Sequence, residues 1–235
     1  MNVKTGIISI FLIILSFYCL FADSTVNING NAEAYIKGEF NRGNHNYGEV
    51  SLISSIELNS QFNFRFGAAY GRSSHNSDIN AFLKAGYNPF LSKYLWPLGF
   101  SVSYIYNGLV DYEVHTHSLL PVISYDNGRY GISLGMNFRF SSFFEESAQF
   151  ESILSFYVYY NFINNEYFSL RAGAGNFKDF HARNMGAIWL DINAVIRFSD
   201  NLSIISEIEL MQSGIDGLSS NFYGMSLKAG VRFSW

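Results

Sequence analysis

Apolar and polar residues alternate along most of the chain with a period of two. The pattern is clearest at the C-terminus, where every second side chain is apolar or aromatic: Tyr223, Met225, Leu227, Ala229, Val231, Phe233 and Trp235. The residues between them are small or charged: Gly224, Ser226, Lys228, Gly230, Arg232 and Ser234. Because successive side chains of a β-strand point to opposite faces, this segment is predicted to be a strand with one apolar and one polar face.

The same alternation predicts eleven further strands, each about the 9 to 11 residues that a tilted membrane strand requires. They are residues 31–41, 49–59, 62–71, 79–88, 98–107, 115–125, 130–141, 152–162, 167–176, 187–198 and 202–211. Pro121 cannot donate a ladder hydrogen bond, which leaves open which side chains of the sixth strand share a face. In every strand, the face opposite the apolar one is predicted to carry only Ser, Asn, Gly and charged residues. The count favours about twelve strands over 10 or 14, and no helical period follows Ala22.

The connections alternate between two kinds. One kind is short and turn-like, at 59–61, 126–128, 163–166 and 199–201, with a longer link between Pro89 and Pro97. The other kind is longer and more polar, at 42–48, 72–78, 108–114, 142–151, 177–186 and 212–221. Membrane barrels have short periplasmic turns and long extracellular loops, so the six longer connections are expected outside the cell.

Aromatic residues make up 18% of the chain and charged residues only 14%, which is unusual for a soluble domain and natural if lipid surrounds the protein. Rings collect at the predicted periplasmic ends of the apolar faces: Phe62, Tyr87, Phe100, Tyr125, Tyr130, Phe162, Phe168, Phe198 and Trp235. A belt of rings at one height is typical of a membrane interface. A soluble sandwich or barrel would have to enclose all these rings in one core, so that alternative is disfavoured.

The N-terminus predicts export. Residues 1–22 carry one positive charge at Lys4, an apolar run, and the small residue Ala22 at the expected cleavage site, which is the pattern of a secretory signal peptide. An uncleaved anchor is the alternative, and polar residues directly after Ala22 argue against it. Residues 23–235 are then a single domain. Cleavage would remove the only cysteine, Cys19, so disulfides are not expected. The whole chain has a net charge of -4, which argues against nucleic acid as a partner.

An alternating strand that ends on a C-terminal aromatic resembles the terminal strand of Gram-negative-type outer-membrane β-barrel proteins, a porin-like class. The resemblance implies an all-β fold, a transmembrane antiparallel up-and-down barrel, in the bacterial outer membrane. It also implies two partners, the outer-membrane lipid and the barrel-assembly machinery, which in this class reads the terminal strand, here Tyr223 to Trp235. The resemblance covers the mature chain as a class and indicates no particular family within it.

The polar faces are expected to line the barrel interior. The predicted pore-lining residues are Glu33, Lys37, Glu39, Glu57, Arg65, Lys84, Arg139, Arg171, Asp191, Arg197, Glu207, Glu209, Lys228 and Arg232. Inward glycines, Gly67 and Gly173 among them, would remove bulk from the lumen or make room for inward tyrosines. This favours a narrow porin or channel for small hydrophilic solutes with a mixed-charge lumen. The layout is similar to twelve-stranded acidic-sugar porins, whose lumens look strongly basic. An ion-tight structural or adhesin-like surface barrel is the alternative.

Catalysis is weighed separately, because outer-membrane hydrolases place a histidine with a nucleophile or carboxylates at the extracellular rim. The histidines all fall on the predicted outer side: His45, His75, His115, His117 and His181. No fixed spacing singles out a nucleophile and a base, so no catalytic residue is predicted, and an outer-membrane hydrolase remains the less favoured alternative. No cofactor is expected. His115 and His117 are weak candidates for a metal site, since residues two apart on a strand point the same way.

The turn at 199–201 sets the register of two strands. It places Asp191 opposite Glu209 and Asn193 opposite Glu207, so like charges would meet on the inner face. We therefore expect a charge network centred on Lys228 of the next strand.

Overall fold

The computed structural model describes residues 28–41, 46–59, 61–88, 97–142, 149–183, 187–213 and 221–235. The expected signal peptide, residues 1–22, lies outside the described residues, and so do His45 and parts of the expected outer connections.

The chain forms a closed antiparallel β-barrel of twelve strands in which each strand pairs with its sequence neighbours and the last pairs with the first. The strands are β1 (Ile28–Asn41), β2 (Asn46–Leu58), β3 (Phe62–Ser73), β4 (Ser77–Tyr87), β5 (Leu98–Leu109), β6 (Val114–Asp126), β7 (Tyr130–Ser142), β8 (Gln149–Asn164), β9 (Phe168–Gly175), β10 (Ala187–Arg197), β11 (Leu202–Ser213) and β12 (Asn221–Ser234). This confirms the predicted up-and-down barrel and its strand count. Within the described ranges, no helix is long and apolar enough to span a membrane.

Most strands extend a few residues beyond the predicted bounds. β1 and β2, for example, stay paired from Ile28 opposite Leu58 to Phe40 opposite Asn46. Backbone ladder bonds do not depend on side-chain polarity, so pairing continues past the point where the apolar alternation ends.

The structure resolves the two faces of β6 at Pro121. Leu119 and Ile123 are 45% and 54% exposed on the outer face, whereas Leu120 is fully buried on the inner face. Pro121 therefore lies on the outer face, opposite Val102 of β5. The register with β7 is the same on both sides of the proline, so the proline does not shift the alternation.

The outer face of the barrel is apolar, as predicted, but the inner face is not polar throughout. Leu83 is 54% exposed on the outside, while its neighbour Phe82 is 4% exposed on the inside. Further apolar side chains are buried inside, among them Ile53, Ile105, Leu120 and Ile205. The prediction of inner faces made only of Ser, Asn, Gly and charges is therefore wrong, because these side chains form one buried cluster with Phe180 of a segment that enters the barrel.

The first and last strands meet where the barrel closes. Gly30 and Trp235 exchange backbone hydrogen bonds of 3.1 and 3.0 Å. The Trp235 ring lies over Gly30, because a Cβ at that glycine would sit 2.6 Å from the ring. Strand β1 thus receives the C-terminal aromatic at a position where only a glycine leaves enough space.

Replacement of Gly30 by valine should hinder closure, since crowding of this kind typically costs about 1 to 3 kcal/mol. Gly38→Val is the matched control, because Gly38 lies on the same strand and a Cβ there meets nothing within 4 Å. The measurement is the fraction of refolded protein that migrates as the folded form in unheated gel electrophoresis. Equal yields for the two variants would show that the contact between Gly30 and Trp235 does not control closure.

Candidate functional site

The connection between β9 and β10 enters the barrel. Its described residues, 176–183, are called here the luminal segment, and they contact inward-facing side chains of strands on several sides. Asn107 of β5 donates a hydrogen bond of 2.7 Å to the Phe180 carbonyl. Arg65 of β3 lies 2.7 Å from Asp179, and Lys178 lies 2.7 Å from Glu207 of β11. The expectation that this connection lies outside the cell is therefore wrong for its described part. Its partners come together only when the barrel closes.

The luminal segment is a small hairpin attached to β8. Lys178 N–H donates to the His181 carbonyl at 2.7 Å, which places Asp179 and Phe180 at the tip. Asn176 fixes the base of the hairpin: its Oδ1 accepts from Phe156 N–H at 2.8 Å, and its Nδ2 donates to the Leu154 carbonyl at 2.9 Å. Asn176 is fully buried. The hairpin is thus held by a buried, satisfied amide at one end and leaves its tip to contact the opposite wall.

Lys178 is the centre of the largest charge cluster. Its ammonium lies 3.2 Å from Asp191, 2.7 Å from Glu207 and 2.6 Å from Glu209. Burial by itself lowers the pKa of Lys178, but the three carboxylates more than offset burial and raise that pKa above its ordinary value. Lys178 is therefore charged at neutral pH and separates acids that would otherwise repel one another.

The pairing of β10 with β11 behind this cluster agrees with the prediction, but the residue at the centre of the charge network does not. Asp191 lies opposite Glu209, and Asn193 lies opposite Glu207. Lys228, the predicted centre, is 3.6 Å from Glu207 and lies over the Tyr35 ring at 4.0 Å. The expected network exists, but Lys178 occupies its centre because the luminal segment, not a neighbouring strand, delivers the cation.

A second ion cluster holds the tip of the hairpin. Arg65 contacts both Asp179 and, at 3.5 Å, Glu33. Arg232 of β12 binds Glu33 at 2.7 Å. Burial alone would raise the pKa of Asp179, but the cations of Arg65 and Lys84 lower it below its ordinary value. The tip is therefore anionic at neutral pH and bound to a basic part of the wall.

Apolar contacts complete the closure. The Phe180 ring packs edge-on against Phe82 with 4.9 Å between centroids, and its side chain is 6% exposed. Phe177 and Ala182 pack against the same buried cluster. The cluster joins inward side chains from many strands: Tyr35, Ile53, Ala69, Phe82, Ile105, Leu120, Val122, Val195 and Ile205. The hairpin and the inner wall thus form one packed layer across the lumen.

The predicted pore-lining residues lie on the inward-facing side of the alternation in their strands: Glu33, Lys37, Glu39, Glu57, Arg65, Lys84, Arg139, Arg171, Asp191, Arg197, Glu207, Glu209, Lys228 and Arg232. The structure brings Lys37, Glu209 and Glu207 together around Lys178. Other members stay apart from this cluster: Arg171, for example, lies over the Tyr159 ring at 5.1 Å.

Several inward glycines do not leave empty space. A Cβ at Gly67 would sit 2.7 Å from the Phe82 ring, and Gly131 and Gly173 are covered by the rings of Tyr159 and Tyr157. These glycines let inward rings lie flat on the wall, so they make room for inward aromatic side chains and do not widen the lumen. Open volume remains elsewhere: a cavity of about 360 Å³ lies toward the end with the short turns, and its lining includes Asn63, Lys84, Asn88, Ser101, Ser124 and Asp126.

Charge is distributed unevenly along the barrel axis. Near the strand ends that adjoin the longer connections, the inner wall carries Glu39, Glu49, Asp78 and Glu151, with Arg139 beside Glu151 at 3.6 Å. Toward the other end it carries mainly bases: Arg65, Lys84, Arg171, Arg197 and Arg232. The mixed-charge lumen expected from the sequence is therefore divided into a mainly acidic half and a mainly basic half, with the luminal segment between them.

Sequence reasoning missed Lys178, Asp179 and Phe180 as site residues and placed His181 on the outer rim. The only available signal is local: residues 177–180 place two opposite charges between two rings in Phe-Lys-Asp-Phe, a composition suited to burial among charged partners. Apart from Asp191 of β10, those partners lie on β3, β4 and β11, far away in sequence. The pattern alone could therefore not separate an inserted hairpin from a solvated loop.

Comparison with known proteins shows which solved structures share this fold. No family model matches the sequence, and no curated protein matches it. Among solved structures, a NanC porin aligns with a TM-score of 0.56 at 12% identity, covering 85% of this chain and 98% of that chain. A KdgM porin aligns with a TM-score of 0.54 at 8% identity, covering 86% and 99%. An outer-membrane channel from Pseudomonas putida F1 aligns with a TM-score of 0.52 at 12% identity, covering 88% and 95%. The chain therefore has the fold of outer-membrane β-barrel porins and channels.

The lowered pKa of His181 predicts that the inserted hairpin is sensitive to acid. Burial, and then the cations of Lys37 and Arg183, lower the pKa of His181 to about 3; Lys228 acts in the same direction and Glu209 opposes it. Asn107 Nδ2 lies 3.4 Å from its ring nitrogen. Outside the lumen the pKa would return toward about 6.5. The inserted state therefore binds fewer protons than the released state, so acidification favours release.

Between pH 7 and pH 5 the protection of the luminal segment against amide hydrogen exchange should fall about 25-fold, once intrinsic exchange rates are corrected. His181→Asn should show equal protection at both pH values, because asparagine at position 181 does not titrate. Asp179 does not contribute in this window, since its lowered pKa lies below it. Peptides from β10 are the internal control. The role of His181 would be contradicted if protection in the parent did not change with pH, or if protection in His181→Asn fell with acid as it does in the parent.

Proposed function

We propose that the protein is an outer-membrane channel for small hydrophilic solutes, held closed by the luminal segment. The observation that carries the proposal is the way the lumen is closed: one hairpin fills it through ion pairs and hydrogen bonds to the wall. Replacing buried ion pairs with apolar residues is often neutral or stabilising, so a barrel built only to be solid has no need of such charges. A closure that a single connection makes mainly through ionic contacts, with Phe180 as its buried apolar contact, is suited to release.

The surroundings of the lumen support a membrane location. The outer face exposes a continuous set of apolar side chains, including Ile36, Leu83, Leu134 and Ile192. Closure leaves no unpaired strand edge, as the hydrocarbon region requires. In this proposal the chain is exported with a signal peptide ending at Ala22, and the strand from Tyr223 to Trp235 is read by the assembly machinery. The shared fold with porins and channels agrees with this location.

The alternatives predict different lumens and rims. An ion-tight structural or adhesin-like barrel would keep the hairpin inserted under all conditions. A rim hydrolase would need a histidine beside a nucleophile. His181 lies inside the barrel, and His115 and His117 bond to the hydroxyls of Tyr106 and Tyr104. His75 Nδ1 lies 2.6 Å from Oγ of its exposed sequence neighbour Ser74, so this pair keeps the hydrolase as the less favoured alternative. The choice between a channel and a structural barrel depends on whether the hairpin can leave the lumen.

Lys178→Met tests the closure directly. The variant removes a cation bound by three carboxylates, and charge-assisted bonds are worth roughly 1.5 to 3 kcal/mol each. Release should therefore rise, and the mean current of the refolded protein in a planar bilayer should increase about tenfold or more. The reversal potential in a salt gradient should also shift toward cations, because Asp191, Glu207 and Glu209 lose their counter-ion.

Arg197→Gln is the matched control. It removes one inward cation at the far end of the lumen, where Arg197 donates to the Asn165 carbonyl at 2.6 Å and does not touch the luminal segment. Its mean current should equal that of the parent. If Lys178→Met folds but conducts no more than Arg197→Gln, the hairpin is not the gate. If neither conducts at any voltage or pH, the barrel is ion-tight and the channel proposal fails.

A further inference from the structure

The outer wall of the barrel carries an arrangement of histidines and tyrosines that the lumen does not use. His115 and His117 lie on the outward face of β6, as their alternation with buried Ser118 and Leu120 requires. The pair therefore points the same way, as predicted, but away from the lumen. What binds there is independent of whether the barrel conducts.

Each imidazole is held by a tyrosine of β5. Tyr104 hydroxyl lies 2.7 Å from Nδ1 of His117, and Tyr106 hydroxyl lies 2.9 Å from Nδ1 of His115. The Tyr106 ring also lies beside both histidines, with centroid distances of 6.0 Å to His115 and 5.3 Å to His117. Both Nδ1 atoms are thus engaged, and no described residue is hydrogen-bonded to either Nε2.

Gly108 makes one of these contacts possible. It lies opposite His115 in the ladder between β5 and β6. A Cβ at Gly108 would sit 2.6 Å from the Tyr106 hydroxyl. The glycine therefore lets the Tyr106 ring lie along the wall and reach the histidine. The second tyrosine, Tyr104, reaches His117 diagonally from its place opposite Leu119.

This geometry is that of a pair of oriented metal ligands. Histidines that bind metal almost always donate their other ring N–H to an oxygen, which fixes the tautomer and the ring orientation. A proton on Nδ1 can be donated to the tyrosine oxygen here, which leaves the Nε2 lone pair directed outward. Two residues two apart on a strand have Cα atoms about 6.6 Å apart on one face, which suits chelation of one ion by two imidazoles. Imidazole favours zinc, copper and nickel over harder cations.

The height of the pair on the wall allows access from water. Ten residues separate Tyr125, at the end with the short turns, from His115. At about 3.3 Å per residue and a tilt of about 40°, this separation corresponds to about 25 Å along the barrel axis, the usual height of the apolar band. His115 thus lies at the membrane surface, and His117 lies just below it beside the amphipathic ring of Tyr104.

We propose that His115 and His117 form an exterior site for a divalent transition-metal ion of the zinc, copper and nickel class. Tyr104 and Tyr106 are positioning residues that orient the two ligands without touching the ion. Within the described ranges, no group of three or more His, Cys, Asp or Glu side chains is placed to hold a metal. Water completes the coordination shell. Because the pair faces away from the lumen, occupancy leaves the ion path unchanged.

The test is Cu²⁺ binding to the untagged, refolded protein in dodecyl maltoside micelles, measured by isothermal calorimetry and by electron paramagnetic resonance. The parent should bind one high-affinity ion with a signal from two nitrogen ligands. His115→Ala with His117→Ala should lower the affinity about 100-fold. Tyr104→Phe with Tyr106→Phe keeps both imidazoles and should lower it about 10- to 100-fold, the range found for lost ligand-orienting partners.

His75→Ala is the matched control, since His75 lies in the turn between β3 and β4 and should not alter binding. Migration in unheated gels verifies that every variant is folded. If the double histidine variant bound Cu²⁺ as tightly as the parent, the proposed site would be wrong. Unchanged affinity in the double tyrosine variant would overturn the positioning role. A parent that binds Cu²⁺ no more tightly than His115→Ala with His117→Ala would show that only scattered surface groups bind the ion.

Discussion

Closure of the backbone ladder between β1 and β12 is the constraint on which the rest of the structure depends. A strand in hydrocarbon must satisfy every N–H and C=O within the protein, and only a barrel without edges does so for a sheet. The register from Asn31 opposite Ser234 to Asn41 opposite Gly224 completes the ring. Once the ring is closed, alternate side chains face two different environments, lipid outside and an enclosed lumen inside. All the features of the candidate site arise from that enclosure.

An enclosed lumen of twelve strands must be filled by side chains, by water or by an inserted segment, and this protein uses the third solution over part of its height. The inserted hairpin brings Lys178 to three carboxylates and Asp179 to Arg65, while Phe180 packs on Phe82. Charges in such a space have lost much of their hydration, so each depends on its partner more than a surface ion pair would. The same dependence means that loss of one partner leaves the others uncompensated.

The resulting lumen has a direction. Acids prevail toward one mouth and bases toward the other, and the hairpin joins both through a cation and an anion that are neighbours in sequence. The outer wall is equally uneven, since aromatic rings and apolar side chains give way to His115, His117 and their tyrosines near the membrane surface. Function is therefore expected at three places: the proposed gate in the middle, the cavity beside Lys84 below it, and the proposed metal ligands on the outside.

The alternation of side chains determined by itself the strand count, the antiparallel order, the inward set of charges and the pairing of Asp191 with Glu209, because a period of two and short turns fix register locally. Three features were decided only by the tertiary structure. The inward rings and aliphatic side chains found partners only when 176–183 entered the barrel; Lys178 displaced Lys228 as the centre of charge; and His115 and His117 turned outward to tyrosines. The first two depend on contacts between the luminal segment and walls that only closure brings together, and the third depends on side-chain contacts between the neighbouring strands β5 and β6.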